Sequence, residues 1–289
     1  MIIDTHSHVN FNAFKDDSFD VMKRTLEGGV WMINVGSQYD TSERAVRMAE
    51  NYPEGVYAAI GLHPVHLESG IIKGKIDKEE IEFKTREEVF DYEKYKNLAF
   101  KDGVRNKKVV AIGEVGFDYW YSPKTKIKIA EFKEKQRLAF LKQLDLAKEL
   151  NLPVIIHCRL AHEELLYSLR EKIKEWGGNS IGGVSHCFVG TLEQAKEYVR
   201  LGFHISFNGL IFKKIAGLPD SEEIIKEIPS DRILAETDCP YLTPPQKEGQ
   251  RNEPLFIKYT IEKIAEIKNI KFEEAAEITT RNARHLFKI

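Results

Sequence analysis

Six residues scattered along the chain, His6, His8, Glu114, His157, His186 and Asp238, are all of types that bind divalent cations. Each closes a short apolar run that reads as a β-strand. The runs cover residues 1–4 before Thr5-His6-Ser7-His8, 109–113 before Glu114, 154–156 before His157, 181–185 before His186 and 233–236 before Thr237-Asp238. Ligand-type side chains at the C-terminal ends of strands that alternate with helices are what a (β/α)8 barrel gathers in one mouth. Imidazoles and carboxylates meeting there make a site for one or two divalent ions. In an extended segment residues i and i+2 share a face, so His6 and His8 can grip one ion together. Glu114 stands in Gly113-Glu114-Val115-Gly116, and a carboxylate at a strand end among glycines is poorly explained by packing, since burial without a partner is costly. A carboxylate can also bridge two cations, which imidazole cannot. His157 and His186 each follow an apolar strand. Either alone could be a core histidine, but together with His6, His8 and Glu114 they would require several independent coincidences.

In Glu236-Thr237-Asp238 the two carboxylates share a face, with Asp238 nearer the mouth. Asp238 can bind a metal and accept a proton from its water. Glu236 reads as part of an internal ion pair lower in the barrel. His63, in Gly61-Leu62-His63-Pro64, is either a substrate contact or group behind the ligands, or a turn histidine. Arg159, Lys213, Lys214 and Arg251 fall in loops on the same face, where they could meet phosphate or stay as solvated charges. Cys158, Cys187 and Cys239 each directly follow a proposed ligand, so strand alternation turns them away from the site.

The elements that must position these residues read as α/β. Strands are expected near residues 1–6, 30–36, 56–61, 109–114, 153–157, 181–186, 203–206 and 233–238. Most are continuous apolar runs, as in parallel strands buried on both faces. Between them lie amphipathic stretches, clearest over 132–150, where Leu138, Leu141, Leu144, Ala147 and Leu150 form one stripe. Thr41 and Thr191 sit where N-caps should, and Thr191 with Gln194 resembles a capping box. Residues 253–267 and 272–287 read as two closing helices. Strands and helices in alternation give a parallel sheet, here a single TIM-barrel domain over 1–289. Residues 67–108, long and rich in Lys and Glu, interrupt the rhythm. They read as a charged surface insertion with a helix around 87–101 and few core positions, or as a lid, since the loop leaves from the ligand-bearing end.

The composition sets outer bounds. The 289 residues are normal for one α/β barrel, and 42% hydrophobic content supplies a sizeable core. With 43 Lys and Arg against 45 Asp and Glu, the formal charge is −2, which argues against broad charge-driven nucleic-acid binding but leaves room for a local basic rim. No apolar run reaches membrane-spanning length, and the N-terminus lacks the basic segment of a signal peptide, so a cytoplasmic protein with reduced thiols and no membrane partner is expected.

The chain resembles the TatD family of metal-dependent hydrolases among the amidohydrolase-like barrels. The resemblance runs from Ile3 to Phe287, excluding most of 67–108. It rests on Asp4-Thr5-His6-Ser7-His8, Gly61-Leu62-His63-Pro64, Gly113-Glu114-Val115-Gly116-Phe117-Asp118-Tyr119, Pro153-Val154-Ile155-Ile156-His157, His186-Cys187-Phe188, Glu236-Thr237-Asp238-Cys239-Pro240-Tyr241-Leu242 and Arg251-Asn252-Glu253-Pro254. It implies a TIM barrel, divalent metals, metal-dependent deoxyribonuclease activity of the 3′-to-5′ exonuclease kind, and ligand roles for the same six residues. After His157 the family usually carries a short polar residue, Arg, Asp and Ala. Here Cys158, Arg159, Leu160 and Ala161 follow, so that acidic group is missing.

The expectation is therefore a phosphodiesterase acting on DNA ends. Glu114 bridges two ions; His6, His8 and Asp238 complete one site, and His157 and His186 the other. The metal, zinc, manganese, magnesium or nickel, is left open by the donor set. The same metal pair could instead hydrolyse an amide, lactone or D-aminoacyl bond. A metal-holding scaffold without turnover is disfavoured, because it needs no proton acceptor at Asp238.

Overall fold

The computed structural model describes residues 1–76, 79–123, 125–215 and 217–289; for 71–76 and 79–84 it describes the backbone alone. Among the described residues, eight parallel strands form one sheet in sequence order. They are β1 (Ile2–Ser7), β2 (Val30–Val35), β3 (Val56–Ile60), β4 (Val109–Asp118), β5 (Val154–Arg159), β6 (Gly183–Ser185), β7 (Phe203–Phe207) and β8 (Ile233–Ala235). The sheet curls until its two ends meet at the mouth. There Ser7 pairs with Cys239, His8 N donates to Cys239 O at 3.0 Å, and Asp238 N donates to His6 O at 2.9 Å. The chain is a (β/α)8 TIM barrel of the kind its strand and helix pattern predicts.

All eight expected strands are present, but their lengths differ from the hydropathy reading. β4 continues four residues past Glu114 because Gly116, Phe117 and Asp118 keep pairing with His157, Cys158 and Arg159 of β5. β6 and β8 are short, since each needs only to deliver one residue to the rim. Helices α1 (Ser18–Glu27), α2 (Tyr39–Glu50), α4 (Lys126–Leu150), α5 (His162–Glu175), α6 (Leu192–Arg200), α7 (Ser221–Glu227) and α8 (Ile257–Lys268) lie between or after the strands. The Thr191–Gln194 capping box is present at α6. At α2 the expectation is corrected: Gln38 is the N-cap and Thr41 sits three residues in, where its hydroxyl accepts from the Ser37 and Gln38 backbone amides. The longer Gln38 side chain can cap because Thr41 closes the box from inside the first turn.

Two apolar layers hold the barrel. Outward-facing Met32, Ala58, Ile60, Ile112, Ile156, Ile205 and Ile233 pack under the helices. Inward-facing Ile3, Ile33, Tyr57, Ala111, Ile155, Val184 and Leu234 fill the lower interior, closed by Ala283, Leu286 and Phe287 of α9 (Phe272–Phe287). Asn282 ties α9 to that end by donating to Ser230 O and Ile233 O, both at 2.8 Å.

The stretch between β3 and β4 holds an antiparallel hairpin, Gly70–Ile76 against Glu79–Thr85, then α3 (Tyr92–Leu98). The helix expected over 87–101 is thus shorter. Asp91 starts it, its carboxylate accepting from Lys94 N, and Asp102-Gly103 turns a small second hairpin, with φ of 50° and 77° as a primed turn requires. Phe90, Tyr95 and Ala99 are buried in the main core, so this half of the insertion carries more core than its charge suggested. The lid reading depends partly on residues 77 and 78 and on side chains within 71–84, which lie outside the described residues.

Candidate metal centre

The six proposed ligands converge at the mouth. β1 ends in His6 and His8, and the irregular pairing between Asp4 and Ser7 turns both inward. β4 delivers Glu114 where its register against β5 shifts between Gly113 and Val115. Gly116 then runs so close to the His157 carbonyl, at φ 146°, that a Cβ there would collide with backbone. β5, β6 and β8 contribute His157, His186 and Asp238.

Glu114 is the hub, and its two oxygens face different groups. Oε2 lies 3.5 Å from His6 Nε2 and 4.0 Å from His8 Nε2. Oε1 lies 2.8 Å from His157 Nδ1, 2.7 Å from His186 Nε2 and 3.3 Å from His63 Nε2. Asp238 Oδ1 completes the first side, 3.4 Å from His8 Nε2 and 3.8 Å from His6 Nε2. The triads close enough to hold an ion are accordingly His6–His8–Asp238, His6–Glu114–His186 and His63–Glu114–His157.

The hydrogen-bond network assigns the tautomers. The carbonyl of Val35 can only accept, so His8 Nδ1 donates to it at 2.9 Å and leaves the Nε2 lone pair facing the mouth. His157 Nε2 is held by Asp118 Oδ2 at 3.1 Å, which leaves Nδ1 toward Glu114. His186 Nδ1 has Glu236 Oε1 at 3.5 Å on its far side. His63 is the opposite case. Its Nδ1 accepts from Val65 N at 3.1 Å, so the neutral ring carries its proton on Nε2 and donates to Glu114. His63 therefore stands behind the ligands or toward substrate.

The donor set fits divalent cations. His6 Nε2 and His8 Nε2 approach to 3.1 Å although His8 presents a lone pair, and carboxylate oxygens of Glu114 and Asp238 face the same two nitrogens. Imidazole nitrogens gathered this way want a cation between them. Electrostatics agree. Burial pushes the Glu114 carboxyl up, but the facing His63 and His186 outweigh it and hold the group well below the usual carboxylate range. Burial raises Asp238 as well, and the facing His8 and His6 rings bring it below its ordinary value. Burial alone would lower His157, yet its bonds to Asp118 and Glu114 leave it raised.

Other residues fall as follows. Arg159 sits at the rim, but its guanidinium is engaged by Asp118, at 2.7 and 3.2 Å. Arg251 also lies at the rim and pairs with Asp17 at 2.5 and 3.0 Å. Glu236 is fully buried and closer to the site than an ion pair lower in the barrel would be. It accepts from Cys187 N at 2.6 Å and Asn208 Nδ2 at 3.2 Å, pinning the turn after His186. Cys158 and Cys239 face the outer core, and burial pushes the Cys187 thiol up to about 12. The ligand reading of the sequence passed over Asp118. The period-two spacing from Glu114 through Gly116 to Asp118 carried the signal, hidden because β4 was expected to end at residue 114.

A parallel barrel with this donor set in its mouth belongs to the class of metal-dependent hydrolases. Within that class the chain belongs to the TatD-related DNase family, whose model matches residues 3–288. It is 40% identical over 291 residues to the uncharacterized metal-dependent hydrolase YabD of Bacillus subtilis, covering 100% of both chains. It is 32% identical over 287 residues to the 3′-5′ ssDNA/RNA exonuclease TatD of a Rahnella strain, covering 96% of this chain and 94% of that one. The crystal structure of YJJV, a TatD homologue from Escherichia coli K12, matches with a TM-score of 0.79 at 29% identity, over 100% of this chain and 98% of the other.

Proposed function

We propose that the chain is a two-metal phosphodiesterase that removes nucleotides from the 3′ end of DNA. The observation that carries the proposal is the division of Glu114, one oxygen toward His6 and His8 and the other toward His157 and His186. Two divalent ions held there would acidify a water and neutralise charge building on the phosphate.

The chain's own groups have distinct tasks. Glu114, His6, His8 and Asp238 would hold one ion, and Glu114, His157 and His186 the other. Asp238 Oδ1, kept ionised by its histidine neighbours, takes the proton from the attacking water. The His63 Nε2 proton, 3.3 Å from Glu114, is available to a substrate oxygen entering the mouth. Arg159 and Arg251 border the path of the phosphate chain. The 3′-5′ ssDNA/RNA exonuclease name of the Rahnella relative supports a single-stranded nucleic acid, DNA or RNA, as substrate. No helix among the described residues is long and apolar enough to cross a membrane.

The test is an end-labelled single-stranded oligonucleotide, with and without EDTA, beside lactone and D-aminoacyl substrates. Stepwise loss from the 3′ end that EDTA abolishes and divalent ions restore is the expected result. Turnover of only the lactone or D-aminoacyl substrate would overturn the DNA assignment while keeping the metal centre. Elemental analysis should approach two ions per chain. One tight site in excess Mn²⁺ or Zn²⁺ would reject the dinuclear centre.

A further inference from the structure

Trp120 presents an indole to solvent at the edge of the metal centre. It is 57% exposed, whereas Trp31 and Trp176 are partly buried against the core. Leaving that much apolar surface wet forgoes burial energy, and the chain could have packed it as it packs Phe117. Trp120 is also fixed in place. Its backbone N–H donates to Asp118 Oδ1 at 3.0 Å, and the other oxygen of the same carboxylate holds His157 Nε2. The Arg159 guanidinium, clamped by Asp118, lies 5.5 Å from the Trp120 ring centroid and 5.0 Å from that of Tyr121. Leu160, 60% exposed, follows Arg159 directly. One carboxylate thus sets both a metal-site histidine and an aromatic wall backed by a cation.

Resting on the phosphodiesterase reading above, we infer that Trp120, backed by Arg159, is a stacking subsite for the nucleobase beside the cleaved phosphodiester. A guanidinium against an indole favours the ring's electron-rich face and keeps the side chain from swinging. Every base offers a π-face, so stacking supplies grip without sequence choice. It also suits a chain of net charge −2, whose overall charge does not draw in a polyanion. Asp118 partly neutralises Arg159, so the guanidinium serves as the wall's backing. The ligand class is an unpaired purine or pyrimidine at a strand end.

The test compares two oligonucleotides in the metal-loaded protein, both with a hydrolysis-resistant terminal phosphorothioate, one ending in a base and one in an abasic sugar. The wild type should bind the base-bearing end more tightly by about 5- to 150-fold, the range set by base–aromatic stacking. Trp120→Ala should lose that preference and bind both ends alike, and Trp120→Phe should keep most of it. Tryptophan emission should be quenched by the base-bearing end in the wild type and not in Trp120→Phe, which still binds. Should Trp120→Ala discriminate between the two ends as well as the wild type, the subsite is wrong while the nuclease reading stands. If the wild type neither binds nor degrades single-stranded DNA, the nuclease reading falls and the subsite falls with it.

Discussion

The two ends of the barrel solve opposite problems. At the floor, inward-facing Ile3, Ile33, Tyr57, Val184 and Leu234 meet Leu286 and Phe287 of α9, and the amide of Asn282 donates to the carbonyls of Ser230, before β8, and Ile233, at its start. At the mouth, five strands aim imidazoles and carboxylates at one another, bringing His6 Nε2 and His8 Nε2 to 3.1 Å of each other. Apolar packing makes the floor stable by itself. The mouth is a set of donors that is complete only with a cation, and it is tolerated because the floor and the outer core carry the fold. In a TIM barrel the C-terminal face is where function is built and the N-terminal face where stability is kept. Substitutions should therefore separate cleanly, mouth changes altering turnover and floor changes altering unfolding.

The largest separation is expected from Asp238→Asn. Asparagine keeps the shape and can still offer an oxygen to a metal, but it cannot take a proton from water. Turnover should fall by about 10²–10⁴, the usual size of acid–base catalysis, with little change in the urea midpoint and with the ion on the His157–His186 side retained. Near-normal turnover with both ions bound would remove Asp238 as the base. Phe287→Ala is the counterpart at the floor. Loss of a large buried ring should cost about 3–5 kcal/mol of stability and leave kcat/KM at 25 °C unchanged. A tenfold loss of kcat/KM in the folded variant would show that the two ends are coupled.

A subtler probe of the floor is pH. Burial, helped by the charge of Arg232, lowers His204 to about 4, whereas an unfolded histidine titrates near 6.5. Between those values the unfolded chain binds the extra proton, so the contribution is complete above pH 6.5 and is lost as pH falls toward 4. By pH 5 the loss from this one group is about 2 kcal/mol. His162, also held near 4, adds a loss of the same sign. Urea midpoints at pH 7.5 and 5 should show a smaller acid loss in His204→Gln than in the wild type. An equal loss in both would place the acid sensitivity elsewhere.

The same contrast explains how much the sequence disclosed. The eight strands and the convergence of His6, His8, Glu114, His157, His186 and Asp238 were legible because each is written locally, as an apolar run ending in a ligand type. What stayed hidden depends on which loops meet. Asp118 looks like one more acidic residue until β4 is seen to pair with β5 as far as Arg159. The proton on His63 Nε2 follows from Val65 N, a contact made by a 3-10 turn that hydropathy cannot show. Phe90, Tyr95 and Ala99 sit among charges, so their burial was masked by their neighbours. Arg159 and Arg251 do lie at the rim, but Arg159 ends β5 where a loop was expected, and the partners, Asp118 at the end of β4 and Asp17 in the loop after β1, come from elsewhere in the chain.

Arg251 gives the smallest and most discriminating prediction, because it belongs to the rim yet is bonded like a structural residue. Its guanidinium pairs with Asp17, donates to Ala13 O at 2.6 Å and lies 4.0 Å from the Phe14 ring centroid, tying the loop after β1 to the loop after β8. Both partners of the ion pair are about a third exposed, so solvent screens it and its contribution is no more than about 1 kcal/mol. Arg251→Ala should lower Tm by a few degrees, and Asp17→Asn should reproduce most of that loss. KM on single-stranded DNA should rise less than about threefold in both, since both terminal nitrogens of the guanidinium are engaged within the protein and Nε is buried. A tenfold rise in KM for Arg251→Ala, with a salt dependence shallower by about one phosphate contact and no such change in Asp17→Asn, would show that the guanidinium leaves Asp17 to bind substrate. The rim would then switch partners during the reaction, and the division between a stable floor and an incomplete mouth would extend outward to the loops.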